Sequence, residues 1–244
     1  MRIHYLVSGR YDSIMHWLMT ILLVLSAQFG MSAEKAGQAQ LGVSSHHEDL
    51  TAKKKQVFLT VKNHGDGVGY VKMDVHKIVM KDGQRTRVVI KDPRKLGLLV
   101  TPGKMVLKPG QSRKVRMRRL IFNNPHDLVY EVNAVPVKPP QKSNKKTVMS
   151  VSITMVTFTR VVSRPAKLEP KLMVNRDQGE VNFDNQGNTT VLIRNLRQCH
   201  VEPCEKLYGF YLIPGMHRTI HLADANAVLS YSQEYPGKKI DKTI

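Results

Sequence analysis

The 244-residue chain carries 38 lysines and arginines against 19 acids, a formal charge of +19, so any partner surface is acidic or at least not basic. Nucleic acid is the first partner such a charge suggests, but an export segment at the amino terminus and the spread of basic residues over many short segments argue against it. No glycine-rich phosphate loop, helically spaced carboxylate pair or serine, histidine and aspartate arrangement marks an enzyme, and no cofactor is implied.

The chain opens with a short apolar core, Trp17 to Leu25, followed by small residues at Ser26, Ala27, Gly30, Ser32 and Ala33. A core of roughly 10 residues is too short to span a bilayer comfortably and fits a secretory signal at residues 1–33. Cleavage is placed after Ala33, with Ala39 as the second choice; Arg2 and Arg10 supply the positive flank, and Met15 is an alternative start. No second apolar run approaches membrane-spanning length, so no integral membrane domain is expected once the signal is removed.

Beyond the signal, helix cues are nearly absent. Short runs rich in β-branched and aromatic residues alternate with turn formers: Gln56 to Val61, Tyr70 to Met80, Thr86 to Ile90, Met105 to Leu107, Lys114 to Leu120 and Leu128 to Val135. Asn63 to Gly67 turns the first run, Asp82-Gly83 is a hairpin cue, and Leu107-Lys108-Pro109-Gly110 suits a type II turn with glycine at positive φ. Val115 and Met117 are assigned to one face of their strand and Lys114, Arg116 and Arg118 to the other; Tyr130, Val132 and Ala134 are likewise in phase.

A basic loop, Lys138 to Thr147, leads into Met149-Ser150-Val151-Ser152-Ile153-Thr154-Met155, an unbroken alternation of apolar and polar residues that reads as a strand within Val148 to Val162. The apolar phase then moves to Val156 and Phe158. A bulge near Met155 would turn Met149, Val151, Ile153 and Met155 outwards while Val156 and Phe158 enter the home core. Such a strand edge is a liability unless another polypeptide covers it, and it also offers a site for self-association of the free form.

Pro165 to Pro170 is the boundary between domains at 34–163 and 164–244. The second domain reads as short strands at Lys171 to Val174, Glu180 to Asp184, Thr189 to Arg194, Phe210 to Ile213, Arg218 to Leu222 and Ala227 to Tyr231. At about 80 residues its core is thin. Cys199 and Cys204 can close a tight turn in an oxidising compartment, worth about 2 kcal/mol for so small a loop; a metal reading would have to recruit His200 and His217, and free thiols are the third possibility. The fold class is all-β, two β-sandwiches, with no internal sequence repeat evident.

The motifs Leu99-Val100-Thr101-Pro102, Met105 to Ser112 leading to Val115-Arg116-Met117, Tyr130 to Pro136, Arg160 to Pro165 and Pro214-Gly215 resemble the periplasmic pilus-assembly chaperones of the chaperone/usher pathway. The resemblance covers most of residues 40–244 and is strongest over 96–165. It implies two immunoglobulin-like domains in an L or boomerang arrangement, a periplasmic location, and pilin subunits and an outer-membrane usher as partners. It further implies that Met149, Val151, Ile153 and Met155 are the donor positions that complete a subunit's unfinished sandwich. A subunit's terminal carboxylate would be anchored by Arg160, at the place usually held by lysine. The usual first-strand arginine is missing; His47, or less well His46, stands near its place.

Two other classes compete. A secreted β-sandwich adhesin or structural pilus component would place its lent segment near the mature amino terminus, whereas the alternating strand here lies mid-chain before an interdomain proline. A periplasmic copper-handling protein would draw on His46-His47 and the methionines, which lack a clustered ligand spacing.

Overall fold

The computed structural model describes residues 37–81, 84–137 and 156–244. The expected signal segment, the expected turn at Asp82-Gly83, the basic segment from Lys138 and the alternating residues Met149, Val151, Ile153 and Met155 lie outside the described residues.

The first sandwich packs two sheets whose strands follow the period-two pattern of their sequences. One sheet orders β1 (Leu41–Val43), β3 (Gln56–Asn63), β8 (Ser112–Arg119) and β6 (Leu98–Thr101) as β1-β3-β8-β6. The other orders β2 (His47–Leu50), β10 (Thr157–Ser163), β9 (Leu128–Val137), β4 (Gly69–Lys81) and β5 (Gln84–Val88) as β2-β10-β9-β4-β5, with β7 (Lys104–Leu107) paired to β4. Val57, Leu59 and Val61, Val115 and Met117, and Tyr130, Val132 and Ala134 fill the core between them. The outward Lys114, Arg116 and Arg118 are exposed, as their phase requires.

One turn of helix, α1 (Pro93–Leu96), has clear local causes. Asp92 caps it by accepting from the Arg94 N–H, Pro93 occupies its first turn, and Gly97 ends it at φ 90°. Leu96 is buried, and its carbonyl accepts from the Tyr130 hydroxyl at 2.9 Å.

The second sandwich has one sheet β11 (Leu172–Asp177), β12 (Glu180–Asn185) and β16 (His217–His221). Its other sheet orders β14 (Glu205–Lys206), β13 (Val191–Cys199), β17 (Val228–Tyr235) and β18 (Lys238–Thr243), with β15 (Phe210–Leu212) on β13. Phe183 lies edge-on to both Phe210 and Tyr231, at 5.4 and 5.2 Å between centroids. β18 is missing from the sequence reading because its residues are mostly charged; main-chain pairing to β17 from Tyr235↔Lys238 to Ser230↔Thr243 holds it. Charge on an edge strand is also a barrier to unwanted pairing.

The structure does contain an internal repeat. At the end of β3, Asn63 donates its side-chain amide to Leu107 O and Gly67 O, while its Oδ1 accepts from Gly65 N. At the end of β12, Asn185 donates likewise to Leu212 O and Thr189 O and accepts from Gly187 N. In both places the asparagine's own carbonyl accepts from the glycine of a Pro-Gly turn, Gly110 or Gly215, each at positive φ. An Asn-x-Gly turn is thus stapled to a Leu-x-Pro-Gly turn once in each sandwich, with all the asparagine's polar atoms satisfied away from water. Unequal spacing between the two halves of the motif hides the repeat in the sequence.

The phase assigned to Val156 and Phe158 is overturned. Both are exposed, at 49% and 43%, and the inward positions of β10 are Thr159, Val161 and Ser163. Threonine is tolerated there because its hydroxyl finds a backbone partner: Thr157 donates to Leu41 O at 3.0 Å and Thr159 to Ser45 O at 2.6 Å.

Cys199 and Cys204 form a disulfide with their Cα atoms 4.5 Å apart, at the end of β13. The replacement of both by serine is expected to lower unfolding free energy by about 2 kcal/mol, because the closed loop is short; urea denaturation under non-reducing conditions measures it.

Candidate functional site

Strand β10 carries the site. On one side it pairs antiparallel with β9, on the other parallel with β2, and the second pairing aligns Arg160 with His47. The ladder therefore sets His47, Arg160 and Glu131 in a row across three adjacent strands. His47 and Arg160 are neighbours, as the sequence suggests, but His47 Nε2 lies 3.3 Å from Asp49 Oδ1. Glu131, buried, is held by Arg87 at 2.7 Å.

Arg160 is covered from the second sandwich. Its guanidinium carbon sits 3.3 Å from the ring centroid of Tyr211, in β15, a cation–π contact. Burial pushes its pKa down from the ordinary value; the Tyr211 hydroxyl opposes this and the nearby Arg85 adds to it. Among the described residues no carboxylate pairs with Arg160, and its buried Nε has no hydrogen-bond partner. Beside it opens a groove whose lining includes Leu192, Arg194, Asn195, Gly209 and Tyr211. A cation with an unsatisfied buried donor beside a groove can bind an anion; a carboxylate could accept two parallel N–H bonds along one guanidinium edge.

Two features hold this arrangement. The outer face of the β2-β10-β9-β4-β5 sheet and the residues after β15 share an apolar cluster of Ile78, Val129, Val162 and Ile213, with Tyr211 and Met216 at its margin. Four residues beyond Arg160, the buried Arg164 donates to Asp127 at 2.5 Å, to Asp49 at 3.0 Å and to Thr189 at 3.0 Å. Asp127 also accepts from Thr190 N. Burial alone would raise the Asp49 carboxyl, but the hydrogen bond to His47 and the charge of Arg164 outweigh it and hold the group below its ordinary 3.8. Arg119, in phase with Val115 and Met117, is buried too; it donates to the carbonyls of Ile121, Phe122 and Arg164 and to Asn124 Oδ1.

Sequence reasoning singles out Arg160 and His47, which the ladder sets side by side. It misses Tyr211, Arg85, Asp127 and the burial of Arg164, because none belongs to a local motif. The only available cue is an arginine immediately before Pro165 at the end of an apolar strand, Val161-Val162-Ser163-Arg164.

Residues 49–161 match the family model of the CS5 fimbrial protein N-terminal domain. A CFA/I fimbrial subunit from Escherichia coli is 24% identical over 191 residues, 76% of each chain. The class 5 fimbriae chaperone CfaA superposes with a TM-score of 0.59 at 19% identity, over 84% of this chain and 98% of that one. A chain of the complex between SafA pilin and the SafB chaperone, from Salmonella enterica, gives 0.58 at 12% identity, over 85% and 97%. The chain thus has the two-domain, immunoglobulin-like fold of chaperone–usher periplasmic chaperones. The match to the CS5 fimbrial model falls on residues of the first sandwich. Among the described residues no helix is long and apolar enough to cross a membrane.

Arg164→Ala would leave Asp127 buried beside an unfilled space, and a loss of about 3–5 kcal/mol in unfolding free energy is expected; chemical denaturation followed by circular dichroism checks it.

Proposed function

We propose that this protein is a periplasmic chaperone that completes pilin subunits by lending them residues 149–155 as a strand and then delivers them to an outer-membrane usher. Residues 1–33 are the export signal, 34–163 the domain that lends the strand, and 164–244 the second domain. Arg160 carries the reading: a cation with a buried donor to spare, in a groove at the base of the alternating segment.

In an unbroken extended strand, 149, 151, 153 and 155 keep the parity of Thr159 and Val161, the inward residues of β10. Met149, Val151, Ile153 and Met155 would then extend the home core's own face into the open groove of the pilin. Four such side chains are worth roughly 6–12 kcal/mol gross, before ordering costs. Main-chain bonds add affinity, and the alternating side chains select the pilin. Arg160, of opposite parity, holds the pilin's terminal carboxylate and so sets the register. His47, its neighbour in the ladder, assists.

The name of the Escherichia coli relative favours a second reading, a structural pilus component. That reading requires a lent segment near the mature amino terminus, whereas the alternating segment lies mid-chain.

The test is co-purification from the periplasm with each neighbouring small secreted β-protein. Arg160→Ala is expected to weaken capture on the order of 30-fold or more, and Ile153→Asp to weaken it comparably by placing a charge in an apolar groove, both with unchanged circular dichroism. Undiminished capture by both variants would remove the mechanism. His47→Ala is expected to weaken capture by a smaller factor, and an unchanged affinity removes His47 from the anchor.

A further inference from the structure

We propose that Arg85 is the second cation of the carboxylate clamp, joined to Arg160 through Tyr211. This rests on the strand-lending reading and names the residue that takes the place of the missing first-strand arginine.

Arg85 lies on β5, separated from β10 by β9 and β4 in the sheet order. Its side chain nevertheless reaches the same aromatic ring: Nη1 donates to the Tyr211 hydroxyl, and its guanidinium carbon is 5.6 Å from the ring centroid. Arg160 occupies the face of that ring at 3.3 Å. One tyrosine therefore seats two guanidinium groups, one by its π-face and one by its hydroxyl and ring.

The local charge is not balanced. Glu131, the acid across the ladder from Arg160, is engaged by Arg87. Asp49 is engaged by Arg164 and His47. Arg194, also at the groove, is paired with Glu234 at 3.0 Å. Arg160 and Arg85 are left without a carboxylate partner among the described residues, with Arg85 close enough to disfavour the charge of Arg160 while Glu131 favours it from across the ladder. Two like charges held at one ring are relieved by an anion that both can reach, and a terminal carboxylate has two oxygens to share between them. His47 fits this role less well, because its imidazole already faces Asp49.

The test uses the mature full-length chain and two synthetic peptides of alternating apolar and polar residues, identical except that one ends in a free α-carboxylate and the other in an amide. The wild type is expected to prefer the free acid by roughly tenfold or more. Arg85→Gln should cut that preference to about threefold or less, with Arg85→Lys restoring part of it and Tyr211→Leu lowering it too. A full preference retained in Arg85→Gln, or one lost in His47→Ala instead, overturns the assignment of Arg85 and leaves strand lending intact. A wild type that binds neither peptide overturns strand lending itself, and one that binds both equally overturns the carboxylate clamp. Arg85 is exposed on an edge strand, so its variants fold, and circular dichroism verifies this.

Discussion

The buried Arg164 guanidinium is the constraint on which the site depends. It closes β10 and ties three parts of the chain together: Asp49 at the end of β2, Asp127 before β9 and Thr189 before β13. A buried ion pair is weak evidence of net stability, since desolvation consumes much of the attraction. Its value here is directional. Arg164 and Asp127 together tie the start of β13 to the end of β10, and β15 pairs with β13. Tyr211, on β15, is thereby brought over Arg160. Arg119 and Asn124 complete the arrangement by accounting for the carbonyls of Ser163 and Arg164, the last residues before Pro165.

The repeated asparagine staple supplies the second fixed point. In the first sandwich it holds Leu107 at the end of β7; in the second it holds Leu212 at the end of β15. Leu212 points into its own core, so its neighbours in sequence, Tyr211 and Ile213, are left to meet the first sandwich. Ile213 enters the shared apolar cluster with Val162, and Tyr211 takes Arg160. A turn motif that closes a sandwich in both halves of the chain has become, in the second half, the element that positions the groove beside Arg160.

What the sequence reveals of this follows from what a period-two pattern can encode. Alternation reports which face a residue takes, so Val115, Met117, Tyr130, Val132 and Ala134 are legible, and Pro109-Gly110 announces its turn because glycine must accept positive φ there. Alternation does not report what lies opposite. Arg119 has the parity of a core residue and the chemistry of a surface one; only the carbonyls gathered around it explain its burial. Val156 and Phe158 mislead in the converse way, being apolar but outward, while Thr157 and Thr159 use their hydroxyls on the backbone of the crossing segment. Arg85 and Tyr211 are 126 positions apart, and no local pattern joins them.

The correction at Val156 and Phe158 simplifies the proposed exchange. Had the inward phase moved to even positions, a bulge near Met155 would be needed to bring Met149 to Met155 onto the face of the home core. With Thr159 and Val161 as the inward residues, the proposed exchange needs no such bulge, because the odd positions of the alternating segment share their parity. Arg160 and Val162 share the opposite face, where Val162 seals the two sandwiches together and Arg160 meets the groove. In the proposed exchange one strand would separate two tasks by parity, apolar complementation on one face and charge recognition on the other. The separation from Met155 to Arg160 must stay odd, since a single inserted residue would exchange the faces. The apolar strip would then stand beside the arginines and the carboxylate anchor would be buried against the core.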